Sequence, residues 1–132
     1  MIKVMAMMKR KPGITPEEFA RYWFEEHAPL GFELLPDDIQ VRGYVQNYTI
    51  RNPGDQEPEF DGLVEFVLDD MDVFQRWLAF FMSDAAKPMR DDEKNFMDSD
   101  TIKVLVMRER VVVARNAEGD EWWGGFREGT GR

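Results

Sequence analysis

His27 is the only histidine of the 132-residue chain, and the chain has no cysteine. It is therefore the one side chain whose unperturbed pKa lies near neutrality, so proton transfer at neutral pH would start there. It closes a helix-like run, Pro16-Glu-Glu-Phe-Ala-Arg-Tyr-Trp-Phe-Glu-Glu-His27. Steps of four back along that run reach Trp23 and Phe19, which puts three rings on one stripe. Such a stripe lines a pocket or fills a core, and the spacing serves either. Breaking a C–H bond beside a carbonyl needs a base poised near neutral pH, and an aromatic pocket supplies shape and low dielectric. His27 is thus the candidate general base or acid.

Helpers are sought in the predicted strands and helices. Glu65 stands between Val64 and Phe66, on the face opposite theirs. A carboxylate buried in so apolar a strand needs a partner. It is a candidate to orient His27 or to act as a second acid–base group with a raised pKa; the alternative is an edge or interface salt bridge. Tyr44, Gln46 and Tyr48 alternate onto one face of another strand, where they can hydrogen-bond a phenol, enol or carbonyl oxygen. Tyr48 is the further candidate acid. Phe19, Trp23 and Trp77 are candidate walls of a substrate site, though core packing explains them as well.

The elements that must position these groups follow from periodicity and capping. Residues 2–9 read as a strand and Lys11-Pro-Gly as a turn. Thr15-Pro16-Glu17-Glu18 is a helix start with N-cap, first-turn proline and capping box. That helix runs to about Glu26, with Pro29 limiting its extension. A strand over Val41–Ile50, an acidic breaker-rich loop and a strand over Gly62–Leu68 come next. Asp69 or Asp70 caps a helix whose apolar positions are Met71, Phe74, Trp77, Leu78, Phe81 and Met82, a helical period. A shorter helical stretch covers about 84–97, and Ile102–Val113 is the last strand. The order β-α-β-β-α-β predicts an α+β, ferredoxin-like fold with a four-stranded antiparallel sheet. Residues 1–115 form the domain; 116–132, with five glycines and the Trp122-Trp123 pair, form a tail expected to pack on the dimer.

Two helices cover one face of such a sheet. The outer strands nevertheless carry apolar residues on both faces, Met5 and Met7 besides Val4 and Ala6, and Leu105 and Met107 besides Val104 and Val106. A face left wet should alternate with polar residues, so a second copy is expected to cover it.

Composition narrows the partners. A net charge of −9 argues against nucleic acid, and no apolar run has the length of a membrane span. Without cysteine there are no disulfides and no thiolate zinc sets, and the expected location is cytoplasmic.

Taken together, the first strand with Lys9-Arg-Lys-Pro-Gly-Ile-Thr-Pro-Glu-Glu-Phe19, then Trp23-Phe-Glu-Glu-His-Ala-Pro-Leu30, resembles the EthD family of the dimeric α+β barrel superfamily. Tyr44-Val-Gln-Asn47, Asp61-Gly-Leu-Val-Glu-Phe66 and Asp92-Glu-Lys-Asn-Phe-Met-Asp98 with Glu109 agree with it. For Asp92 and Asp98 themselves, capping and solvation are sufficient explanations. The resemblance implies a dimeric barrel with a pocket between sheet and helices in each subunit. His27 matches the family's helix-end histidine, whereas a second histidine near the second strand has no counterpart here. It also implies relatives among polyketide cyclases and dehydratases, muconolactone-type isomerases and cofactor-independent oxygenases. The expectation is therefore a homodimeric lyase or isomerase, working without metal or organic cofactor on a small hydrophobic carbonyl compound of aromatic or lactone type. The alternatives are an oxygenase of phenolic substrates and a non-catalytic small-molecule binding protein.

Overall fold

The computed structural model describes residues 1–51, 54 and 56–114. The expected tail, with Trp122 and Trp123, lies outside the described residues.

Strands β1 (Ile2–Met8), β2 (Gly43–Tyr48), β3 (Gly62–Leu68) and β4 (Lys103–Met107) form one sheet in the order β2-β3-β1-β4, every neighbour antiparallel. This is the ferredoxin-like arrangement expected. β2 and β4 are shorter than their apolar runs suggested. In β4 the ladder stops where Met107 already faces Lys3, close to the start of β1, so the residues that follow have no strand to pair with.

Register divides the sheet into two faces. The rows Tyr44–Phe66–Val4–Val106 and Gln46–Val64–Ala6–Val104 face the helices. Val45–Glu65–Met5–Leu105 and Asn47–Leu63–Met7–Lys103 face away. The helical side holds the core: Val4, Phe66 and Leu68 from the sheet are buried with Phe19, Trp23, Phe80, Met89 and Phe96.

Helix α1 (Pro16–Tyr22) starts as expected, with Thr15 Oγ1 accepting from the Glu18 backbone at 3.1 Å. It does not end near Glu26. A π-turn (Trp23–His27) carries the rod on into α2 (Ala28–Leu34). Within it the Ala28 N–H bonds to Trp23 O, five residues back, which shifts the ladder just before Pro29. A proline that lacks an N–H is tolerated where the regular ladder has already been broken. The π-turn therefore both admits Pro29 and sets the direction in which His27 projects.

Helix α3 (Met71–Phe81) is capped by Asp70, whose side chain accepts from Val73 N at 3.0 Å. Its buried residues are Val73 and Phe80, not the stripe singled out from periodicity. That stripe instead stacks along a hollow, with ring separations of 5.0 Å for Phe66–Trp77 and 5.3 Å for Trp77–Phe81. Met71, Leu78 and Met82 remain exposed. A 3-10 turn (Asp84–Ala86) leads into α4 (Lys87–Glu93).

Candidate functional site

A hollow of about 670 Å³ opens between the sheet and the helices. Its floor is Val4, Ala6, Val64 and Phe66, its far wall Phe74, Trp77 and Phe81, and its near wall Trp23, His27 and Phe32. Half-exposed Val104 and Val106 from the edge strand border it as well. The size suits a small organic molecule, and the lining is of the apolar kind that binds one.

His27 is buried, and its ring lies 4.8 Å from that of Phe96. Nδ1 is 2.9 Å from Asp92 Oδ2. Tyr22 donates to Asp92 Oδ1 at 2.5 Å, and the Asn95 amide donates to the same oxygen at 3.0 Å. Burial pushes the His27 pKa below 6.5, against an opposing pull from Asp92. Burial pushes Asp92 upward, but the hydrogen bonds from Tyr22, His27 and Asn95 outweigh it and hold the carboxyl below 3.8. At neutral pH the pair is therefore a neutral imidazole donating Nδ1–H to a carboxylate. That leaves the Nε2 lone pair as the ring's basic site, and His27 borders the hollow. A base oriented by a hydrogen-bonded carboxylate is the general form of a positioned proton acceptor.

The expected helpers are distributed differently. Glu65 does not meet His27. It lies on the outer sheet face, where it accepts from Lys3 Nζ at 2.8 Å and Asn47 Nδ2 at 2.9 Å; the Lys3 hydrogen bond is the main reason its pKa is lowered rather than raised. Lys3 also pairs with Glu109. The period-2 geometry of the strand decides this, because Val64 and Phe66 take the helical face. Tyr48 is 62% exposed and borders a second, smaller hollow with Phe24 and Phe32, whose lining does not include His27. Phe19 is core, packed 5.7 Å from Trp23 and 5.7 Å from Phe96. Trp23, Tyr44 and Trp77 do border the main hollow. Gln46 stands behind Tyr44 and donates to its hydroxyl oxygen at 3.2 Å and to Trp23 O at 3.2 Å. Burial holds the Tyr44 phenol above its ordinary pKa, so it is a neutral donor.

Two residues take places that the sequence alone does not assign. Asp92 is the partner sought in Glu65, and it reaches His27 across 65 positions of sequence. Glu93, next to it, turns into the hollow and has its pKa pushed up to about 7 by burial. Both belong to a charged segment of the sequence, where no local pattern sets either apart as a pocket group. Among the described residues no group of three histidine, cysteine, aspartate or glutamate side chains is placed to hold a metal ion. Among the described residues no helix is long and apolar enough to cross a membrane.

An EthD family protein of Bacillus halodurans superposes with a TM-score of 0.57 at 21% identity, covering 83% of this chain and 99% of its own. A protein of Arabidopsis thaliana gives 0.58 at 12% identity, over 85% of this chain and 98% of its own. A dimeric protein of unknown function and ferredoxin-like fold from Bacteroides fragilis gives 0.53 at 12% identity, over 82% and 95%. At these identities the likeness shows the fold alone. No curated protein matches the sequence. The EthD domain, however, matches residues 11–100, a span that includes His27, Asp92 and Glu93. The chain belongs to the EthD family.

Proposed function

We propose that this protein is a cofactor-independent lyase or isomerase that removes a proton from carbon beside the carbonyl of a small, neutral, hydrophobic substrate. The observation that carries this reading is the His27–Asp92 pair at 2.9 Å with the imidazole on the wall of an apolar hollow. Asp92 fixes the ring and its tautomer, and Nε2 takes the proton. Tyr44, held by Gln46, is a neutral donor for the developing oxyanion. Trp23 and Trp77 supply flat surfaces for an aromatic ring.

The test is solvent exchange. Incubated with 2-tetralone in deuterium oxide, the protein should speed incorporation of deuterium beside the carbonyl, and His27→Ala should lose about 10²–10⁴-fold of that rate. Full retention in His27→Ala removes the imidazole from the chemistry. Oxygen uptake during turnover would instead place the protein with the oxygenases.

We also infer a homodimer built on the outer sheet face. Val45, Leu105 and Met107 are 48%, 50% and 43% exposed there, and Met5, Met7 and Leu63 share the face. The dimeric state of the Bacteroides fragilis protein supports the same reading.

A further inference from the structure

Glu93 ends α4 with its carboxyl on the wall of the main hollow. Among the described residues it has no ion-pair or hydrogen-bond partner for its side chain, although its backbone carbonyl accepts from Phe96 and Met97. The groups around it are few. On its own helix stand Arg90 and Asp92. Arg90 is committed to the carbonyls of Phe81 at 2.5 Å and Ser83 at 2.6 Å, and Asp92 faces His27. The π-turn brings His27, and β2 brings Tyr44. The side chains that α3, β1, β3 and β4 present to the hollow are apolar. The charge of Arg90 favours the anion, but burial outweighs it; a carboxyl set in such a wall with no ion pair is costly as an anion and useful as a neutral acid. Its burial is consistent with titration near neutrality, at about 7.

We propose that Glu93 is the acid of this site, donating a hydrogen bond to the carbonyl oxygen of a neutral ketone-type substrate and passing its proton to that oxygen. This rests on the reading of His27 as base. In the step, the C–H bond breaks and its proton goes to Nε2 of His27. The C–H electron pair becomes the C=C bond of an enol, and the C=O π pair takes the proton of Glu93 as a new O–H bond. His27 is left as imidazolium and Glu93 as carboxylate. Return of the His27 proton to carbon and of the enol proton to Glu93 restores both groups, with no net oxidation or reduction. The proposal also sets the substrate class: a carboxylate or phosphate ester in contact with Glu93 would repel its ionised form, so the ligand is uncharged.

The probe is 2-tetralone, used for both binding and exchange, with affinity read on either side of the Glu93 transition at about 7. Wild type should bind about tenfold more tightly on the acid side, the worth of one hydrogen bond. Glu93→Gln keeps a neutral donor but cannot ionise, and should bind equally on both sides. Glu93→Ala should bind weakly at both and exchange about 100-fold more slowly. The same pH dependence in wild type and Glu93→Gln overturns the proposal, as does failure of wild type to bind 2-tetralone at either pH. His27→Ala separates the two readings. Loss of exchange with pH-dependent binding intact supports both, whereas full exchange in that variant sinks the base while the Glu93→Gln comparison still decides the acid.

Discussion

His27 Nδ1 and Asp92 Oδ2 meet at 2.9 Å although 65 positions separate them in the chain. The contact joins the π-turn of the first helical rod to the last turn of α4. Asp92 is in turn held by Tyr22 and Asn95, so the imidazole is oriented by a carboxylate whose own position is fixed.

Replacing Asp92 by Asn keeps the shape but removes the charge that selects the Nδ1–H tautomer. Exchange of 2-tetralone should fall about 100-fold or more, since a base held in the wrong tautomer loses most of its effect. The His27 Nδ1–H resonance should also move. Glu65→Gln, on the outer face, should leave the exchange rate within about twofold. Equal losses in the two variants would dissociate Asp92 from the chemistry.

The two pocket groups give stability opposite slopes with pH. The His27 pKa is lowered by burial, so the unfolded chain takes up the proton first. Its contribution is complete above 6.5 and is lost as pH falls through the folded value. The Glu93 pKa is raised from 4.5 to about 7, so its contribution is complete below 4.5 and is lost as pH rises toward about 7. Urea midpoints against pH should therefore rise more steeply with pH in Glu93→Gln than in wild type, and the His27→Gln curve should tilt the other way. Parallel curves for all three would mean that neither group titrates differently on folding.

Gly62 lies at the start of β3 beneath the aromatic core. A Cβ there would stand 2.9 Å from Trp23 and 3.1 Å from Phe19. Both rings are packed in the core, at most 2% exposed. Gly62→Ala should cost about 1–3 kcal/mol of stability, read as a lower urea midpoint. An unchanged midpoint would show that the packing around Trp23 is looser than its burial implies.

The outer sheet face should govern assembly. Leu105 sits beside Met5 in the cross-strand row that also holds Glu65 and Val45. A charge at Leu105 would face the covering copy and be desolvated there. Sedimentation should show a dimer for the wild type and a monomer for Leu105→Glu at micromolar concentration. A monomeric wild type would leave that face without its expected cover.

Local chemistry made much of the molecule legible. Thr15, Pro16 and Glu18 mark a helix start through hydrogen bonds and backbone restriction that act within four residues, and Asp70 does the same for α3. Period-2 apolar runs locate the strands, and their two-sided apolarity points to a covered outer face. The single histidine and its aromatic stripe single out the candidate base. What the chain alone left open lay in contacts made between distant segments. A lone acid in β3 drew attention because its neighbours are apolar, but strand pleating sends Glu65 away from the hollow. Asp92 and Glu93 lie in a run of charges where nothing local distinguishes them. Only the docking of α4 against the π-turn gives one of them an imidazole and the other an apolar wall. The ring of His27 could have been named from sequence, but its partner, its tautomer and the space beside it depend on desolvation and hydrogen bonds that exist only once the helices are packed.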